Sequence, residues 1–177
     1  SQTVYIQQVA QALGYHSDGS CPGVQIKSIS SGPAGAFYPL FAPSLYQFDQ
    51  AVISSISAGT IQVASAGNQR EVSGALQGCD ADANRKYINH LSEVITATST
   101  DAEGLFAKYA NFGSCITASL PTSTTGLSTG PNLLSIDMLG ATGYNTGANE
   151  ILSDPDYTST FGGTSAAAPL MSGVLAL

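Results

Sequence analysis

Tryptophan is absent from this 177-residue chain, lysine and arginine together number five, and charged residues make up only 10% of it. Five cations cannot line a basic groove, and the formal net charge is −7, so neither nucleic acid nor an anionic membrane is an expected main partner. No apolar stretch approaches the ~20 residues that a helix needs to cross a bilayer. No signal-peptide pattern opens the chain either, so Ser1 is expected to be a processed, truncated or fragment end. Three cysteines are present, and Cys21, Cys79 and Cys115 lack metal-ligand spacing, so no metal site is expected from them. They leave two readings. One is a disulfide, Cys79 with Cys115 being the better pair, plus a thiol that is free or paired outside the chain, as suits an exported protein; the other is buried unpaired thiols.

What the chain does have is small and apolar: it is 43% hydrophobic and contains 19 glycines. That composition and length suit one packed domain with no internal repeat or linker. Val4, Ile6, Val9, Ala10 and Leu13 recur at helical spacing, so a helix is expected over 4–13 and a loop over 15–23. Strands are expected over 24–30, 60–66, 94–98 and 115–120, with a shorter one over 133–137. Between the first two, Leu45, Phe48, Val52, Ile53 and Ile56 form one helical stripe behind a capping box of Ser44 and Gln47. Strand, helix, strand implies a parallel crossover. The stretch 121–131 reads as a surface loop, and 140–160 as a hairpin leading to the most informative segment of the chain.

That segment is Phe161-Gly162-Gly163-Thr164-Ser165-Ala166-Ala167-Ala168-Pro169, a tight loop opening into a helix that continues as the apolar run 170–177, expected to be buried. A serine at this junction lies where helix amides point outward without intrahelical partners, so an attacked carbonyl would find donors for its developing charge. The alanines keep the first turn thin, and an early-turn proline is tolerated. A second signal is Ala64-Ser65-Ala66-Gly67-Asn68, in which an asparagine just past a buried strand can aim its amide into a cleft. Taken alone it is better read as a turn asparagine. In an open α/β sheet, Ser30 to Pro33, Ala66 to Asn68 and Ser165 all fall at carboxyl ends of strands, where reactive groups collect.

The string Gly163 to Pro169 resembles the nucleophile motif of the subtilisin-like serine peptidases, the subtilases: Gly-Thr-Ser, a small residue, Ala, any residue, Pro. The doubled glycine before it and the alanines after it are more similar to the kexin/furin-like branch and its bacterial relatives. The resemblance implies an α/β fold, a subtilisin-like three-layer sandwich with a mainly parallel sheet. It implies Ser165 as nucleophile and Asn68, with the serine's own N–H, as the oxyanion hole. Ser30-Ser31-Gly32-Pro33 resembles the family's substrate-binding segment, whose bare backbone pairs with an extended peptide. With Ala64, Ser65, Ala66 and Gly67 it would wall the specificity pocket. Cys79-Asp80-Ala81-Asp82-Ala83-Asn84 is similar to a kexin-type segment whose acid faces a basic substrate side chain, which makes Asp80 the matching position; a solvated acidic turn explains the same letters.

The departures are as definite. Gly35 and Asn111 stand where the convertases carry two further acids, so neither dibasic specificity nor that branch's calcium site is implied. The family's His and Asp lie upstream of the Ser30 segment, the His within His-Gly-Thr. His16 and His90 lack that setting and read as ordinary polar histidines. Residues 1–177 are therefore expected to be the C-terminal portion of a catalytic domain, inactive alone, whose partners are a polypeptide substrate and the missing N-terminal part. No cofactor is required for the chemistry, and a structural calcium is assigned to no residue. A secreted or extracytoplasmic location is expected. The alternative is a non-catalytic pseudopeptidase that binds peptide or a partner protein. A lipase or esterase elbow, Gly-x-Ser-x-Gly, is not matched, because the second residue after Ser165 is Ala167.

Overall fold

Residues 2–15, 23–31, 43–70, 81–86, 88–122, 133–148 and 150–177 are described by a computed structural model. Helix α1 (Gln2–Gly14) is followed by strand β1 (Ile26–Ile29), helix α2 (Pro43–Ser57) and strand β2 (Ile61–Ser65). Strands β3 (Ile95–Thr100) and β4 (Ile116–Pro121) complete a four-stranded sheet in the order β1-β2-β3-β4, all parallel. Strands β5 (Leu133–Ile136) and β6 (Tyr157–Phe161) form a separate antiparallel pair, and helix α3 (Thr164–Leu175) follows.

The expected α/β fold with a parallel sheet is present, and its strands lie where alternation and turn residues put them. Two details differ. Ser44 is not the residue before α2 but lies inside it, because the helix already starts at Pro43, a residue whose missing N–H suits a first turn. The hairpin expected over 140–160 has its arms at β5 and β6, so most of 137–156 is the connection between them.

Gln62, Val63 and Ala64 of β2 are all buried, as a strand covered on both faces requires. On one face Ala64 joins Leu13, Ile29, Phe48, Val52, Ile88 and Val94 in the core beneath α1 and α2. The amide of Gln62 donates to Ser55 Oγ of α2 at 2.8 Å. The Lys27 ammonium donates to the same hydroxyl at 2.9 Å and to Leu13 O at the end of α1, and burial lowers its pKa. α3 lies across all four strands, with Ala166, Ala167 and Ala168 buried. Three small side chains in one turn let the helix backbone approach the sheet closely. Beyond that turn the apolar run is not fully buried: Leu170, Val174 and Leu177 are exposed.

In β3 three of the four buried positions are polar, with Thr96, Thr98 and Ser99 all fully enclosed beside Ala97. Thr98 donates to Asn111 O at 3.3 Å, and Ser99 Oγ lies 2.5 Å from Thr122 Oγ1. Both bonds lead toward the carboxyl end of the sheet.

The β5–β6 connection is held by carboxylates. Asp137 accepts from the backbone N–H of Asn145 at 2.7 Å and of Met138 at 2.8 Å, which lowers its pKa. Glu150 accepts from Ser159 Oγ, from Ser159 N–H at 2.9 Å and from Thr158 Oγ1 at 3.0 Å, and these donors, Ser159 first, hold its pKa at about 2 instead of 4.5. A carboxylate with a depressed folded pKa stabilises the fold above its unfolded value and loses that contribution as pH falls through the folded one. Between about pH 4.5 and pH 2, thermal melts of the protein are therefore expected to show a steeper fall in Tm for wild type than for Glu150→Gln.

Candidate active site

Gly163 precedes α3 with φ +79°, a left-handed angle that favours glycine, and a Cβ there would sit 3.2 Å from Asn68 Nδ2. The chain thus turns sharply into the helix with bare backbone facing the Asn68 amide. Thr164, the first helical residue, is fully buried. Its hydroxyl accepts from Gly67 N–H at 3.0 Å and donates to Asn68 Oδ1 at 2.8 Å. Its backbone N–H donates to the same Oδ1 at 3.0 Å. With Oδ1 held twice, the carboxamide is fixed in rotation, and Nδ2 makes no hydrogen bond among the described residues.

Ser165 is half-buried in the first turn of α3, where a helix amide has no intrahelical partner. Its hydroxyl donates to Ser30 O at 3.3 Å, and Ser30 Oγ donates to Ser165 O at 2.8 Å. Ser30 and Ser31 follow the last residue of β1, and Gly67 and Asn68 lie just past the end of β2. The parallel sheet therefore delivers Ser30, Asn68 and Ser165 to one place, although Ser30 and Ser165 are 135 residues apart. Gly163 O accepts from buried Thr122 at 3.0 Å, so the end of β4 also grips the turn.

Of the remaining candidates, Ser65 and Gly67 are half-buried, while the side chains of Ala64 and Ala66 are buried. The carbonyl of Ser65 accepts from the amide of buried Asn89 at 3.0 Å. Gly32, Pro33, Asp80 and His16 lie outside the described residues, as do Gly35, Cys21 and Cys79. Cys115 carries a free thiol, in line with the second of the two readings of the cysteines, and burial pushes its pKa up. His90 Nε2 is 3.1 Å from Asp49 Oδ2 of α2.

Sequence reading did not single out Thr164, Thr122 or Asn89 as part of this arrangement. Thr164 stood inside the motif itself, and its hydroxyl beside the serine was the available signal. The other two hydrogen-bond partners carried none. Two cavities of about 500 Å³ and 510 Å³ lie within the β5–β6 connection and beside 84–94, and neither is lined by Ser165 or Asn68. Among the described residues no three His, Cys, Asp or Glu side chains converge as metal ligands. Asp137 and Glu150 instead spend their oxygens on hydroxyl and backbone donors.

The Subtilase family model matches residues 1–177. A protein named calcium-dependent protease from Trichormus variabilis is 34% identical over 96 residues, 53% of this chain and 14% of that protein. One of the same name from Nostoc sp. is 32% identical over 95 residues, again 53% and 14%. The chain thus covers a small part of the length of these relatives. Among solved structures, the serine protease of Aeromonas sobria in complex with its chaperone superposes with a TM-score of 0.74 at 19% identity, covering 97% of this chain and 32% of that one. A lanthipeptide protease gives 0.73 at 19%, covering 97% and 50%. At such identities the likeness is one of fold.

Thr164→Val keeps the side-chain shape and removes the bridging hydroxyl, leaving Gly67 N–H without its acceptor. A stability loss of about 1–3 kcal/mol is expected, read by urea unfolding.

Proposed function

This chain belongs to the subtilase family, and from that premise we propose that it is the C-terminal portion of the catalytic domain of a serine endopeptidase acting on polypeptides. Ser165 attacks the peptide carbonyl and forms an acyl-enzyme, while Asn68 Nδ2 and the Ser165 N–H receive the oxyanion. The base that takes the serine proton, a His, and the Asp that orients it come from protein outside residues 1–177. His90, whose Nε2 is bound to Asp49, lines a cavity that Ser165 does not line, and is not that base.

The observation that carries this reading is the pair of hydrogen bonds from Thr164, the residue before the serine, to Asn68 Oδ1, with Asn68 Nδ2 making none among the described residues. An asparagine serving only as a turn residue has no need of a buried clasp to a site 96 residues away. The open position of Ser165 also suits an extended substrate, which lies in a groove instead of filling a closed cavity. Ser30, Ser31, Gly32 and Pro33 are proposed to bind the substrate together with Ser65 to Gly67, with Ala64 and Ala66 contributing backbone, since their side chains are buried. Asp80 takes a basic substrate side chain. The doubled glycine and the alanines around Ser165 support placing the chain nearest the kexin/furin-like branch and its bacterial relatives. A secreted or extracytoplasmic location accompanies that placement.

The calcium dependence in the names of the two relatives extends to this protein as a structural requirement of the whole molecule. Among the described residues no three His, Cys, Asp or Glu side chains form a cage for the ion.

An active-serine probe should label the full-length protein, and Ser165→Ala should abolish the label. Asn68→Ala should leave Ser165 in place but lower kcat about 10²–10³-fold, the scale known for the corresponding donor of subtilisin itself. A full-length protein that takes no label but still retains a peptide on the groove would be a pseudopeptidase, and the enzyme reading would fall.

A further inference from the structure

Asn111 is fully buried, and the contacts of its side chain are unusual in having a single target. Its Nδ2 donates to Ala66 O at 2.9 Å and to Gln69 Oε1 at 2.8 Å, and its Oδ1 accepts from Gln69 N–H at 2.9 Å. Its backbone N–H donates to Gly67 O at 2.9 Å. Those partners are the two residues before Asn68 and the one after it. The Asn111 carbonyl accepts from Thr98 of β3, so the clamp is itself anchored in the sheet. Nearby, Arg70 N–H donates to Tyr109 O at 3.0 Å, and its guanidinium lies 4.9 Å above the ring of Phe106, extending the same seam.

From this we infer that Asn111 is the positioning residue for Asn68: it sets the backbone from which the oxyanion-binding amide projects. The assignment rests on the reading of Asn68 as oxyanion donor. Thr164 fixes the rotation of the Asn68 carboxamide, but rotation alone does not place the group. The backbone at 67 must also hold φ +99°, and a Cβ at Gly67 would come within 2.5 Å of Asn111 Nδ2. Gly67 and Asn111 are thus matched parts, the bare Cα leaving the space the carboxamide fills. A carboxamide suits this position for a chemical reason. It presents two donors to two acceptors on one side and one acceptor to an N–H on the other. A carboxylate at 111 would face Ala66 O and Gln69 Oε1 with an acceptor in place of the donors.

The test is a double-mutant cycle on the full-length enzyme, measuring kcat and KM for a peptide substrate. In the Asn68 background, Asn111→Ala and Asn111→Asp are each expected to remove most of the about 10²–10³-fold in kcat that Asn68→Ala removes, with KM changed much less. In the Asn68→Ala background the same substitutions should cost almost nothing more, because their effect has no other route. Equal losses in both backgrounds would overturn the inference while leaving Asn68 as the donor. Unchanged kcat in Asn68→Ala alone would overturn the oxyanion reading and this inference with it. Should the Asn111 variants fail to fold, Gln69→Ala removes one of the clamp's partners at a half-buried position. A several-fold loss of kcat that disappears in the Asn68→Ala background supports the clamp, and a loss that persists there refutes it.

Discussion

One buried hydroxyl joins the two halves of the site. Thr164 Oγ1 sits between Gly67 N–H and Asn68 Oδ1, taking a hydrogen bond from one and giving a hydrogen bond to the other. A hydroxyl is the smallest group that can do both at once, and full burial makes each bond costly to lose. Without that bridge the start of α3 and the end of β2 would be adjacent by packing alone, free to slide past one another. The alanines that follow let α3 lie close enough to the sheet for the bridge to form.

Around this bridge the sheet behaves as a frame. Parallel strands put all their carboxyl ends on one side, and three of the four ends contribute directly. β1 leads to Ser30, β2 leads to Gly67 and Asn68, and β4 leads to Thr122, which holds Gly163 O. β3 contributes from beneath, through Thr98 to Asn111 and Ser99 to Thr122. Two of the buried hydroxyls in β3 thereby have a physical account: Thr98 satisfies the backbone carbonyl of Asn111, and Ser99 pairs with the hydroxyl of Thr122.

The opposite end of the chemistry is conspicuous in its composition. Ser165 donates to a backbone carbonyl of Ser30, and His90 is engaged with Asp49. Under the proposed function, these residues are the charge-receiving and nucleophile-presenting half of the site. The clasp, the clamp at Asn111 and the Gly163 turn all serve orientation, and orientation of donors is the part of such catalysis that a scaffold can supply by itself.

Local sequence determined the elements and the identity of the two principal groups. Apolar periodicity placed α1, α2 and the parallel strands, and the run Gly163 to Pro169 marked Ser165 because that turn and thin helix start leave a recognisable string of small residues. Asn68 was legible for the same reason, lying one residue past a glycine at the end of a strand. The tertiary structure alone decided that these groups meet, and through which atoms. Hydrogen bonds spanning 96 residues between Asn68 and Thr164, and 42 between Gln69 and Asn111, leave no periodicity to read. Asn111 looked like a departure from a pattern of acids, and only its burial beneath the 66–69 loop revealed a carboxamide matched to two acceptors and one donor. The physical reason is general. Secondary structure is dictated by neighbours along the chain, whereas a site is made by groups whose only relation is the distance between them after folding.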